Sequence, residues 1–200
     1  MKIFSLCAAL LWALTTFALP ALAQGNAPAA TPACHDKKLP APFDAEGYAL
    51  DGTTLVVTGF APHVRLWGIQ APALRDKDGQ ETMPGMAARA GLEDLLDAAA
   101  HKIHIAPTGW DRECRLAAIV TNLPTSMPDG SLAPSPPAAV DIGLAMLSQG
   151  FAYGLPLDEP ICDRPGLGQA YARTEAQARK TSSGLWPFWL GETERTLRQK

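Results

Sequence analysis

VRLWGIQAPA, residues 64–73, is the stretch on which the reading of the whole chain turns. Its first half alternates, with Val64, Leu66 and Gly68 on one face of an extended strand and His63, Arg65 and Trp67 on the other. The spacing predicts a strand over His63–Ile69 that buries its aliphatic face and points Arg65 away from it. Upstream, GYALDGTTLVVT (47–58) alternates around an Asp51-Gly52 turn and breaks at Gly59, which predicts a hairpin. Downstream, LRDKDGQETMP (74–84) is polar and reads as an exposed loop. Met86, Ala90, Leu92, Leu95, Leu96 and Ala99 then recur at helical spacing. Lys102–Ala106 and Arg115–Thr121 predict two more strands, joined by GWDREC (109–114). Five strands with a helix between the third and fourth is an order that OB-type barrels use. The expected fold class is therefore α+β, a five-stranded OB-type β-barrel packed by about three helices.

The rest of the chain fits around that unit. Asn122–Ala139 holds five prolines and few large aliphatic side chains, so it predicts a surface insertion over 122–139. Asp141 is placed to cap a helix through Leu144 and Leu147 that stops at Gly150. A last helix is expected from about Gln169 to Lys180, ended by Gly184 before Leu185-Trp186, with 188–200 as a C-terminal tail.

At the other end, Met1-Lys2 precedes an apolar run from Ile3 to Pro20, and Ala21-Leu22-Ala23 has the small-x-small form of a signal-peptidase site. Residues 1–23 read as a signal peptide and 24–44 as an Ala/Pro-rich lead-in. The expectation is export to a periplasm or the cell exterior, with no transmembrane segment once the leader is removed. Removal takes the formal charge from −3 to −4, Lys2 being the only charged side chain lost. That balance argues against a broad phosphate-tracking surface and confines any anion site to a local pocket. Cys34, Cys114 and Cys162 follow the leader. Their spacing matches no zinc pattern, and an odd count in an oxidising compartment predicts one bridge and one thiol left over.

Four separated segments then agree, in order, with a known family: Asp51-Gly52-Thr53-Thr54; VRLWGIQAP; Asp111 to Arg115 followed by Leu116-Ala117; and DIGLAMLSQGFA with Tyr171, Glu175-Ala176-Gln177-Ala178-Arg179 and Gly184-Leu185-Trp186. Together they make residues 45–187 resemble the thermonuclease family of staphylococcal-nuclease-like domains. The resemblance implies a barrel packed by three helices. It also implies a calcium ion held by two aspartates, a glutamate that assists the attacking water, and two arginines that hold the phosphate. The arginines fall on Arg65 and Arg115, which are present. The aspartates fall on Thr53 and Gln70, the glutamate on Ala73, and the threonine before Pro72 on Ala71. Ca²⁺ takes oxygen ligands, preferably anionic ones, so this set predicts no calcium cofactor and no general base. Glu113 and Cys114 stand where the family usually has Tyr-Gly. The resemblance puts Cys114 and Cys162 near one rim, which makes Cys114–Cys162 the first expected bridge and Cys34–Cys162 the second.

The leading expectation is a secreted, catalytically degenerate module that binds a phosphate-bearing or other anionic ligand through Arg65 and Arg115, a nucleotide or nucleic acid included. The alternative is an active phosphodiesterase with a rebuilt site, using His63 or the loop acids Asp76, Asp78 and Glu81. A purely structural module is the third reading. Each arginine has a plainer reading as the ion-pair partner of Asp51, Asp111 or Glu113. Tyr171, Glu175 and Trp186 read as structural, with Glu175 bonded to backbone, and Trp110 as packed. His101 and His104, three apart in a strand, are expected on opposite faces.

Overall fold

The computed structural model describes Cys34 and residues 37–123, 139–156 and 166–191, all within the compact unit Thr31–Lys200. The leader, most of the lead-in, Cys162, positions 124–138 of the insertion and the tail beyond 191 lie outside the described residues.

Three strands open the barrel as a meander: β1 (Phe43–Ala49), β2 (Thr54–Val57) and β3 (Phe60–Leu66), each antiparallel to its neighbour. The alternation of β3 does what its sequence requires, because Val64 and Leu66 are fully buried while His63 is exposed and Arg65 half-buried. The strand differs from expectation at its end. It stops at Leu66, Gly68 turns the chain with φ +73°, and Ile69–Gln70 (β4) joins Tyr153–Gly154 (β7) in a separate two-stranded sheet.

Helix α1 (Met83–Asp97) starts where Thr82 Oγ1 accepts the Gly85 N–H at 3.1 Å and Pro84 occupies the first turn, where a missing N–H costs nothing. It lays Ala88, Leu92 and Leu96 on the barrel, all fully buried. Gly85 is required there, because a Cβ would sit 2.3 Å from the Ala73 carbonyl oxygen. The helix therefore seats directly on the segment that follows β4.

Strands β5 (Lys102–Trp110) and β6 (Leu116–Asn122) pair antiparallel, and β6 runs parallel to β3 with Arg65 opposite Ala117. With β1 paired to β5, the order β1-β2-β3-β6-β5 closes on itself and leaves no open edge. Leu55, Val64, Leu66, Ile103, Ile105 and Leu116 fill its interior. Burying each such side chain contributes about 1.5–3 kcal/mol. Asp141 caps α2 (Ile142–Ser148) by accepting the Leu144 N–H at 3.0 Å, as expected. Helix α3 (Leu167–Lys180) buries Tyr171 and Ala178, and the Tyr171 hydroxyl donates to Asp141 at 3.2 Å, which joins the two helices. The chain then forms a short helical segment at 186–191, so 188–191, expected as tail, is ordered by packing. Trp189 stands edge-on to Trp186 at 4.9 Å and to Tyr153 at 5.7 Å. Among the described residues no helix is long and apolar enough to cross a membrane.

Candidate functional site

The β1–β2 turn, the outer face of β3, the segment after β4 and the β5–β6 turn meet around a cleft of about 450 Å³. Thr53, Arg65, Gln70, Ala73, Glu113 and Arg115 line it, so the positions singled out from the sequence converge on one site. Leu50, Ala71, Pro72 and Leu74 make part of its wall apolar.

Each polar side chain is held by local backbone chemistry. In the first turn Asp51 Oδ1 accepts the N–H groups of Thr53 and Thr54 at 2.7 and 2.8 Å, and the Thr53 hydroxyl donates to the same oxygen at 3.2 Å. Thr53 is only 4% exposed. On β3, Arg65 donates from one terminal nitrogen to Gln70 Oε1, while Gln70 Nε2 donates to the Ala71 carbonyl at 2.9 Å. The Gln70 amide is thus oriented from both ends, with its oxygen toward the guanidinium. Ala73 offers a methyl group.

The second turn is more heavily tied. Asp111 Oδ1 accepts the N–H groups of Glu113 and Arg115, both at 2.9 Å, and Oδ2 accepts Arg115 Nε at 2.7 Å. Burial pushes the Asp111 carboxyl up, but those N–H donors and the charge of Arg115 outweigh it and hold the group below its ordinary range. Arg115 also reaches Glu113 Oε2 at 3.1 Å and Thr54 Oγ1 at 3.4 Å. The plainer reading of Arg115 as an ion-pair partner therefore holds for Asp111 and Glu113. Arg65 differs, since its partner Gln70 is neutral and its positive charge faces the cleft.

Cys114 bridges Cys34, not Cys162. This corrects both expected pairings, Cys114–Cys162 and Cys34–Cys162. The reason lies in the described part of the lead-in, which is held at the β5–β6 turn: the Trp110 indole N–H donates to the Lys37 carbonyl at 3.0 Å, and Cys34 is 2% exposed. Cys114 has φ +61°, a left-handed conformation that suits the glycine the family usually carries there. Cys162 itself lies outside the described residues.

His63 is exposed on β3 and is not among the residues that line the cleft. The loop acids are occupied with the loop: Asp76 Oδ1 accepts the N–H groups of Asp78 and Gln80 at 2.9 Å, and Glu81 pairs with Arg75 at 3.1 Å. Glu175 accepts the Gly154 N–H at 2.8 Å, the backbone bond expected of it. His104 pairs with Asp44 at 2.6 Å. His101 sits in the turn before β5 rather than in the strand, and there it meets Glu93 and Asp97. The reading of the sequence missed that grouping, although Glu93 and Asp97 are one helical turn apart and His101 follows four residues on.

The family model described as staphylococcal nuclease homologue matches residues 63–187. Among curated proteins none matches the chain.

Proposed function

From the premise that the chain belongs to the staphylococcal nuclease homologue family, we propose that it is an exported member that has lost calcium-dependent phosphodiester hydrolysis and binds an anionic ligand. One observation carries this reading: Arg65 and Arg115 line the same cleft as Thr53, Gln70 and Ala73. The two cations of a phosphate site stand beside three side chains with no carboxylate among them, and the carboxylates that do line the cleft are engaged, Asp51 by Thr53 and Thr54 and Glu113 by Arg115.

The donor set does not suit Ca²⁺, a hard cation that takes six to eight oxygens and favours anionic ones. Gln70 Oε1 already accepts from Arg65, and the Thr53 hydroxyl donates to Asp51. Ala73 has no group that takes a proton from water, so no hydrolytic step is assigned to it. What the cleft retains suits recognition. A guanidinium presents a planar fork to two oxygens of a phosphate or carboxylate, and among the described residues the hydrogen bond of Arg65 goes to the neutral Gln70 rather than to a carboxylate. A phosphate-bearing ligand, nucleotide or nucleic acid end fits this chemistry. The Cys34–Cys114 disulfide and the apolar leader support export.

The test uses the purified, oxidised chain without its leader and a 5′-phosphorylated single-stranded oligonucleotide. Cleavage of DNA and RNA is followed in calcium, in other divalent metals and in chelator, and binding is measured in parallel. The expected result is no cleavage in any condition and binding that falls about 10- to 100-fold in Arg65→Ala, the loss of one or two charge-assisted hydrogen bonds. Cleavage that tracks the protein and vanishes in Arg65→Ala would sink the degenerate reading and turn attention to His63, Asp76, Asp78 and Glu81.

A further inference from the structure

The end of helix α1 and the turn after it bring three donor side chains to one place on the barrel wall, and none of them lines the arginine cleft. Glu93 and Asp97 lie one turn apart. The chain then reverses through Ala98–Ala100, and the His101 N–H bonds the Leu96 carbonyl at 2.8 Å, which folds His101 back over the last helical turn. The donor atoms of Glu93, Asp97 and His101 all lie within 4.8 Å of one another.

Contacts outside the trio set how these donors point. His101 Nδ1 is 3.2 Å from the Gly47 carbonyl oxygen, which only accepts, so this contact is a hydrogen bond when Nδ1 carries a proton. The ring also stacks on Tyr48, with centroids 4.4 Å apart and planes at 27°. Nε2 is thereby aimed at Asp97 Oδ1, 2.9 Å away. That contact places a ring nitrogen and a carboxylate oxygen where either a shared proton or a bound cation can lie between them. Glu93 adds a second carboxylate. One of its oxygens accepts the Ala49 N–H at 2.7 Å, a donor that orients the group without balancing its charge. Gly47 and Ala49 both belong to β1, so one strand supplies the outer contacts that metal-binding His and carboxylate side chains usually have.

We propose that Glu93, Asp97 and His101 form a site for a divalent first-row transition cation of the Zn²⁺ class, which ties the end of α1 to β1. One imidazole nitrogen with two carboxylate oxygens suits such an ion better than Ca²⁺, which prefers an all-oxygen shell. Bonds of about 2.0–2.2 Å to nitrogen and oxygen put tetrahedral ligands roughly 3.3–3.6 Å apart, so His101 Nε2 and Asp97 Oδ1 would open from 2.9 Å while any wider pair of the trio closes in, with water completing the tetrahedron. This site is independent of the anion-binding reading.

The test is a titration of the oxidised, untagged chain with ZnCl₂ in chelator-free buffer, read by calorimetry and by the thermal midpoint. Cys162→Ser is present throughout so that a thiol is not counted as a ligand. One equivalent of Zn²⁺ is expected to bind and raise the midpoint, and Glu93→Gln and His101→Ala are each expected to weaken binding at least 10-fold and abolish that rise. Glu93→Gln keeps an oxygen for the Ala49 N–H, so it separates loss of a ligand from loss of the fold. No uptake, or uptake that persists in either variant, overturns the proposal and leaves His101–Asp97 an ion pair only.

Discussion

Two turns frame the cleft, and they are built on the same device with different reinforcement. In each an aspartate accepts two backbone N–H groups from residues just ahead of it, Asp51 from Thr53 and Thr54, and Asp111 from Glu113 and Arg115. The first turn needs little more, because its backbone enters β2 at once and its central residue is the buried Gly52. The second must also hold an arginine against the cleft and carry a non-glycine residue at φ +61°, and it has an ion pair and a disulfide. The turn that presents a hydroxyl is closed by hydrogen bonds and by the close approach of Gly52 to Ala71 and Ala88. A turn presenting a charge in a left-handed frame is tied down from outside.

Breaking the tie should have the largest effect. Cys34→Ser with Cys114→Ala is expected to cost about 2–5 kcal/mol of stability, measured by denaturant unfolding under non-reducing conditions. Cys114→Gly in place of Cys114→Ala should recover about 1 kcal/mol, because glycine adopts positive φ without penalty. Equal stability of the two variants would mean that backbone conformation is not what the tie offsets.

The aspartates separate the turns next. Asp111→Asn removes the charge that Arg115 pairs with and should cost about 1–3 kcal/mol at neutral pH, whereas Asp51→Asn keeps an acceptor for both N–H groups and should stay within about 0.5 kcal/mol of the parent. The Asp111 pKa is depressed in the folded state, so its contribution is complete above the ordinary value of 3.8 and is lost as pH falls through the lowered one. The Asp111→Asn deficit should therefore shrink in unfolding experiments taken below that pH. A deficit that stays constant would assign the role to geometry rather than charge.

The smallest stability change is expected at Glu113, which is 71% exposed. Glu113→Gln should alter stability by no more than about 0.5 kcal/mol. By removing a carboxylate that competes for Arg115, it should raise affinity for the phosphorylated oligonucleotide a few-fold. Weaker binding would show that Glu113 holds Arg115 in place instead.

Much of the barrel was legible because its signals are local and periodic. The alternation at Val64 and Leu66, the Asp51-Gly52 turn, the Leu92 and Leu96 spacing and the Asp141 cap each act within a few residues, and each is realised in the fold. Arg65 and Arg115 were singled out differently, by the resemblance of short segments to a family, and both line one cleft. What was not legible depends on segments distant in sequence. Two-residue strands such as Ile69–Gln70 and Tyr153–Gly154 have no periodicity of their own and exist only because they meet. The Cys34–Cys114 pairing goes with the contact of Lys37 to Trp110, which no spacing encodes. The Glu93, Asp97 and His101 grouping depends on consecutive left-handed residues, Ala100 and His101, that alanine and histidine rarely supply.

The disulfide spans 80 positions and encloses β1 through β5 together with α1 in one covalent ring. The exposed loop between Arg75 and Glu81, with Lys77 at its outer side, lies inside that ring. A protease that cuts there opens the loop without dividing the protein: the two pieces stay joined through sulfur, and the arginines of β3 and of the second turn remain on one molecule. Damage at the rim of the cleft would thus pass unseen on a non-reducing gel and appear as two bands only after thiol treatment.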